Sequence, residues 1–114
     1  MKRLEIIIPE RKLYTVSTVL SEENITGMSY YRIQGRSKVR VKPTTVGRGM
    51  TEYELDFTSK LKVEVVVRDE KVETLITKLL ERIGEDVSTG AKLFVVDIPI
   101  AVDLVTKKRG ESVI

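Results

Sequence analysis

Lys60-Leu61-Lys62-Val63-Glu64-Val65-Val66-Val67 is the stretch on which the fold turns. Leu61, Val63, Val65 and Val67 alternate with Lys60, Lys62 and Glu64, the period of a strand with one buried face. Just downstream, Asp69 is a candidate helix cap, and Val72, Leu75, Ile76, Leu79, Leu80 and Ile83 form an apolar stripe at helical spacing. Gly84 stops that helix, and after a loop Leu93-Phe94-Val95-Val96 reads as another strand. Upstream the same series occurs once more. Leu4-Glu5-Ile6-Ile7-Ile8 is a β-branched strand ended by Pro9, and Leu13, Val16, Val19 and Leu20 keep helical spacing. Asn24-Ile25-Thr26-Gly27 turns the chain into Met28-Ser29-Tyr30-Tyr31-Arg32-Ile33, a second strand.

The order is therefore β-α-β, long loop, β-α-β. The halves also echo each other in letters: Leu4–Ile8 against Val63–Val67, and Thr26-Gly27-Met28 against Thr89-Gly90-Ala91. A doubled split β-α-β is an α+β ferredoxin-like sandwich, two helices on one face of a four-stranded antiparallel sheet. Its other face would carry Lys60, Lys62, Glu64 and Val66, either solvated or packed against copies of itself in a closed oligomer.

Residues 36–52 carry no sustained burial pattern and read as a long loop between strands two and three. Loops beyond about 12–15 residues inside a compact domain usually serve function. This one holds Arg36, Lys38, Arg40, Lys42 and Arg48, with no carboxylate from Arg36 to Met50. Such a run is ordinarily a solvated loop, but close like charges also repel, extend the chain and attract an anion or acidic partner. The tail, 104–114, is basic and lacks periodicity.

At 114 residues, with 41% apolar and 32% charged residues, 1–114 reads as a single domain with one core. The chain has no Cys and no His. A disulfide framework, a thiolate metal site and a Ser-His or Cys-His nucleophile are thereby excluded, and the commonest zinc ligand is missing. Asp, Glu, Lys and Tyr could still do acid-base work, but the expectation is a protein that is not an enzyme. No stretch approaches the roughly 20 apolar residues that span a bilayer, and the charged start is too short for a signal peptide. A cytoplasmic protein is expected. The net charge of +3 is too modest to argue for nucleic acid by itself.

Ile25-Thr26-Gly27-Met28, with Gly35 opening the long loop, resembles the PII signal-transduction family of nitrogen-regulatory proteins. The likeness runs from Met1 to Gly35 and resumes at Asp56-Phe57. It then covers Lys60–Val67 and Lys92-Leu93-Phe94-Val95, and closes with Thr106–Ile114. The resemblance implies a homotrimer that holds an adenine nucleotide in each cleft between subunits. It also implies a long loop, the T-loop, that changes conformation with the ligand. That loop docks on a protein target, a metabolic enzyme or a membrane transporter that would recruit the protein to the membrane.

Residue by residue, the resemblance places Gly27, Met28, Ser29, Gly35 and Glu64 around the adenine, with Ser29 keeping the hydroxyl of a usual Thr. Lys92, after Thr89-Gly90-Ala91, matches a lysine that reaches nucleotide phosphates, and Thr89 and Ala91 replace family glycines. Lys38, Lys108 and Arg109 are further candidates for the nucleotide. Arg36, Arg40, Lys42 and Arg48 would meet a partner or a small anion such as bicarbonate. Tyr53 lies near a segment that some members modify, although a loop anchor is its plainer role.

Two departures shape the expected ligand. Where the family has two arginines for the polyphosphate of ATP, this chain has Asp103 and Val105. Losing two cations and gaining a carboxylate disfavours a triphosphate, so AMP, ADP or cyclic AMP stand beside ATP as candidates. The glutamine that helps hold magnesium has no counterpart near Ser37-Lys38-Val39, which argues against magnesium-dependent sensing of 2-oxoglutarate. No covalent cofactor is implied. Two other classes share the fold. A nucleic-acid-binding domain could use the basic loop, but its aromatic stacking pair is missing from Leu93–Val96. An acylphosphatase-like enzyme would need a glycine-rich cradle before an arginine, and Pro9-Glu10-Arg11-Lys12 supplies only the arginine.

Overall fold

In the computed structural model, which describes residues 1–36, 44–46, 50–52 and 57–114, the first half comprises β1 (Lys2–Ile8), α1 (Leu13–Glu22) and β2 (Ser29–Arg36). Two short strands follow, β3 (Thr44–Val46) and β4 (Met50–Glu52); then β5 (Phe57–Val67), α2 (Val72–Ile83) and β6 (Lys92–Asp97). Four strands form an antiparallel sheet in the order β2-β5-β1-β6, while β3 and β4 pair with each other. This is the ferredoxin-like sandwich that the doubled pattern predicts.

The core lies between the helices and one sheet face. Leu61, Val63, Val65 and Val67 of β5 are buried with Leu4, Ile6 and Ile8 of β1, beneath Val16, Val19 and Leu20 of α1 and Leu75, Leu79 and Ile83 of α2. Each aliphatic side chain so buried stabilises by about 1.5–3 kcal/mol. A one-residue slip of β5 would exchange that set for Lys60, Lys62, Glu64 and Val66, so the register is fixed by burial.

The internal repeat extends to details that the letters do not show. Each helix is entered through a single 3-10 turn, Glu10–Lys12 after Pro9 (φ −68°, ψ 153°) and Asp69–Lys71 after Arg68 (φ −70°, ψ 150°). This corrects the reading of Asp69 as a cap. Neither the 3-10 turn nor α2 has a side-chain cap, and the Asp69 carboxylate instead pairs with the Met1 amino group at 2.9 Å. α2 does end at Gly84, which is right-handed (φ −61°); a Cβ there would come 2.4 Å from the Leu80 carbonyl oxygen.

Other boundaries shift. Met28 precedes the second strand, which starts at Ser29 and runs on to Arg36, into the expected loop; within that loop Thr44–Val46 pairs with Met50–Glu52. The tail has order after all, with a bridge between Val102 and Arg109 and a 3-10 turn at Gly110–Val113. The stripe on α2 is wider than its contact with the sheet. Leu80 is 63% exposed, because the helices centre on β1 and β5 and leave the β6 edge open.

The two helices are joined at their ends by charge. Glu22 accepts from Arg82 at 2.6–2.7 Å and from Lys78 at 3.2 Å, and Glu23 pairs with Lys78 at 3.1 Å and Lys71 at 3.3 Å. Hydrogen bonds from Arg82 and then Lys78 hold Glu22 below the usual carboxylate range, and those from Lys78 and Lys71 do the same for Glu23. Lowered folded-state values mean that the network stabilises above the unfolded carboxylate range, near pH 4.3, and is lost as pH falls through the folded values. The melting temperature of Lys78→Ala/Arg82→Ala should therefore lie below wild type at pH 7 and converge with it under acid. In the core, Leu75→Ala should lower the unfolding free energy by about 2–5 kcal/mol in urea titration.

Candidate functional site

The candidate residues gather at opposite ends of the sheet. At the first end, the start of β2 meets the second half of β5: Ser29 lies opposite Glu64, and Gly27, Met28, Ser29, Glu64, Val66 and Arg3 line a hollow of about 350 Å³. The Tyr31 hydroxyl donates to Glu64 Oε1 at 3.0 Å, which fixes the carboxylate beside that hollow. A larger recess of about 460 Å³ adjoins it, bounded by Asn24–Gly27, Val66–Arg68, Lys71 and the returning tail at Val113 and Ile114.

The second end holds Gly35, opposite Thr58 on β5, and the turn that leads into β6. Asp86 caps this turn by accepting from the Ser88 N–H at 3.1 Å, and Arg11 reaches across from the 3-10 turn before α1 to Asp86 (3.1 Å) and Ser88 Oγ (2.8 Å). The Ser88 hydroxyl, and after it Arg11, hold the Asp86 carboxyl below its usual range. Thr89 is buried; its hydroxyl donates to the Asp86 carbonyl at 2.9 Å and accepts from the Ala91 N–H at 3.2 Å. Gly90 takes the left-handed conformation (φ 56°), its carbonyl 3.5 Å from Lys60 Nζ. Lys92 then opens β6 with its side chain exposed. Thr89 thus closes the turn on itself: its hydroxyl occupies the Ala91 amide, and the exposed Lys92 follows directly.

Between the ends, the open sheet face carries a ladder of charge. Glu5 pairs with Arg3 at 3.3 Å and Lys62 at 3.5 Å, and Lys62 lies 4.0 Å from Glu64. Burial lowers the Lys62 ammonium, but Glu5 and Tyr31 more than reverse this, and its pKa is raised.

Asp103 has a structural role that its charge alone did not suggest. Its carboxylate accepts from the Val105 and Thr106 N–H groups at 2.8 and 3.0 Å, and the amide of Thr106, then that of Val105, hold its pKa down. The hairpin is closed by Asp103 N–H to the Lys108 carbonyl at 2.9 Å and leaves the sheet past Asp97, which places Lys108 and Arg109 at the Gly27 end. Arg36 closes β2, while Lys38, Arg40, Lys42, Arg48 and Tyr53 lie outside the described residues.

Sequence reasoning missed the brace of Arg11 on Asp86 and Ser88, and the bidentate Arg32–Glu10 pair at 2.7 and 2.8 Å. The spacing Asp86-Val87-Ser88, a local Asp-to-amide turn, was the available signal for the first. Arg11, the arginine an acylphosphatase-like site would require, is committed to that brace.

Comparison with known proteins agrees with this fold. The family model for nitrogen regulatory protein P-II matches residues 1–108. The nitrogen regulatory protein P-II of Pasteurella multocida is 34% identical over 114 residues, covering all of both chains. Those of Klebsiella oxytoca and Escherichia coli K12, the latter named P-II 1, are each 31% identical over the same full span. The chain belongs to the nitrogen regulatory protein P-II family, a family of signal-transduction regulators rather than enzymes. Among the described residues no helix is long and apolar enough to cross a membrane.

Removing the Asp103 carboxylate should loosen the hairpin. Asp103→Ala is expected to speed hydrogen exchange at the Val105 and Thr106 amides while the core amides keep their protection.

Proposed function

We infer that this regulator is a homotrimer that binds an adenine nucleotide in each cleft between chains. The loop between β2 and β5 carries the ligand state to a protein target, a metabolic enzyme or a transporter. One observation bears most of the weight. Across the sheet from Lys92 lie Ile7, Lys62 and Tyr31 in turn, three strand spacings or roughly 14 Å, and Ser29 is two residues further along β2. One chain therefore holds the two halves of the proposed site on different edges of the sheet, with Lys62 and Tyr31 between them. A second chain that brings its Gly27–Ser29 edge to the Thr89–Lys92 turn completes the site.

In that cleft Ser29 Oγ and the Gly27 backbone face the base, Glu64 is held by Tyr31, and Lys92 meets phosphate. Gly35 stands where the ligand meets the root of the loop, and Arg36 is the first residue beyond it. Lys108 and Arg109 approach from the tail of the chain that supplies Gly27. The loop cations Lys38, Arg40, Lys42 and Arg48 serve an acidic partner or small anion, and Tyr53 is a position for modification. Asp103 keeps its negative charge at this end, and one turn amide is taken by Thr89. Both favour a ligand with few phosphate charges, AMP, ADP or cyclic AMP, over magnesium-ATP. An allosteric output requires that the ligand bind one loop state better than another. A nucleic acid on the open face would meet cations already paired, Arg3 and Lys62 with Glu5, rather than a free basic stripe.

Calorimetric titration with AMP, ADP, ATP and cyclic AMP, alongside the mass in solution, tests this reading. One site per chain in a trimer is expected, with Lys92→Ala weakening phosphate-bearing ligands at least tenfold and leaving the mass unchanged. Absence of binding by all four nucleotides would overturn it.

A further inference from the structure

The recess of about 460 Å³ beside the Gly27 hollow takes no part in the function proposed above. Three pieces of the chain meet to form it. α1 ends in a left-handed turn at Asn24 (φ 60°), where the Asn24 N–H donates to the Ser21 carbonyl at 3.0 Å and the Ile25 N–H to that of Leu20 at 2.9 Å. That turn sets Ile25 and Thr26 against Val66 and Val67 at the end of β5. The tail returns through the 3-10 turn Gly110–Val113 and bounds the recess with Val113 and Ile114.

The wall is divided by chemistry. Ile25, Val67 and Val113 supply aliphatic surface, and the first two are continuous with the core. Arg68 and Lys71 supply positive charge. The Arg68 guanidinium makes no hydrogen bond among the described residues. Its ion-pair partner there, Glu111, stands 3.7 Å away, and both side chains are about half exposed. Glu23 is the one carboxylate side chain on the wall among the described residues, and Lys71 at 3.3 Å and Lys78 at 3.1 Å share it.

We propose that this recess binds a short aliphatic carboxylate, its head on Arg68 and Lys71 and its hydrocarbon along Ile25, Val67 and Val113. A planar carboxylate fits the guanidinium fork, which Glu111 meets only at ion-pair distance. Glu23 on the same wall favours a singly charged head over a phosphate. The volume is that of a small-molecule pocket, roughly 300–1,000 Å³. Ligand and Glu111 compete for one guanidinium, so occupancy releases the tail from β5. The site lies within a single chain and needs neither the trimer nor a nucleotide.

Titration of the full chain with acetate, butanoate, hexanoate and octanoate, followed by amide chemical shifts, tests the site. Shifts should be confined to residues 23–27, 66–71 and 110–114, with affinity rising about two- to fourfold for each added methylene. Hexanamide, which lacks the charge, should not compete. Arg68→Gln should weaken hexanoate about tenfold or more with an unchanged far-ultraviolet spectrum, and Glu111→Gln, which frees Arg68, should tighten it. Shifts scattered over the surface, affinity independent of chain length, or hexanoate binding indifferent to Arg68→Gln would each overturn the proposal. Carboxylate binding without nucleotide binding, or the reverse, removes one reading and leaves the other.

Discussion

The parity of β5 is the constraint on which the rest depends. That strand is bonded to β1 on one side and β2 on the other, so the side that Leu61, Val63, Val65 and Val67 take is imposed on both neighbours. With those four under the helices, Glu64 must face the open side, and its register partners Glu5 and Ser29 must face it too. The hollow at Gly27–Ser29, the charge ladder and the Tyr31–Glu64 hydrogen bond all follow from that assignment. Side chains that carry the candidate chemistry are placed by side chains that carry none.

The architecture was legible because alternation along β5 and the 3.6-residue period of α2 are one-dimensional signals of burial. The repeat between halves then supplied the topology. What stayed hidden depends on contacts between distant segments. Nothing near Asp69 announces that the Met1 amine will occupy it, and the exposure of Leu80 follows from where α2 lies over the sheet. The likeness named the candidate residues, and their distribution over the sheet was not part of it. The likeness named Ser29 and Lys92 together, while only the strand order β2-β5-β1-β6 puts them on opposite edges. Asp103 looked like a lost cation; in three dimensions it is the residue that shapes the hairpin.

The open sheet face is unusual for a surface that would be enclosed by copies of itself. Glu5 and Lys62 are only 16% and 24% exposed in the single chain. Enclosing an ion pair costs desolvation that its own attraction often fails to recover, whereas leaving one member unpartnered is strongly destabilising. A ladder of this kind adds little to the strength of an association. Within one chain it holds Arg3, Glu5 and Lys62 in fixed relation on that face.

The turn Glu10–Lys12 is a junction. Glu10 holds Arg32 on the strand that leads into the long loop, and the adjacent Arg11 holds Asp86 at the turn before Lys92. The four side chains are 38–64% exposed, and pairs exposed in this way contribute little to stability. The same short peptide therefore ties a strand to a turn, and ties them weakly. Ionic strength acts on both pairs together: as the Debye length shrinks from about 10 Å at 0.1 M salt to about 3 Å at 1 M, the two attractions weaken in concert.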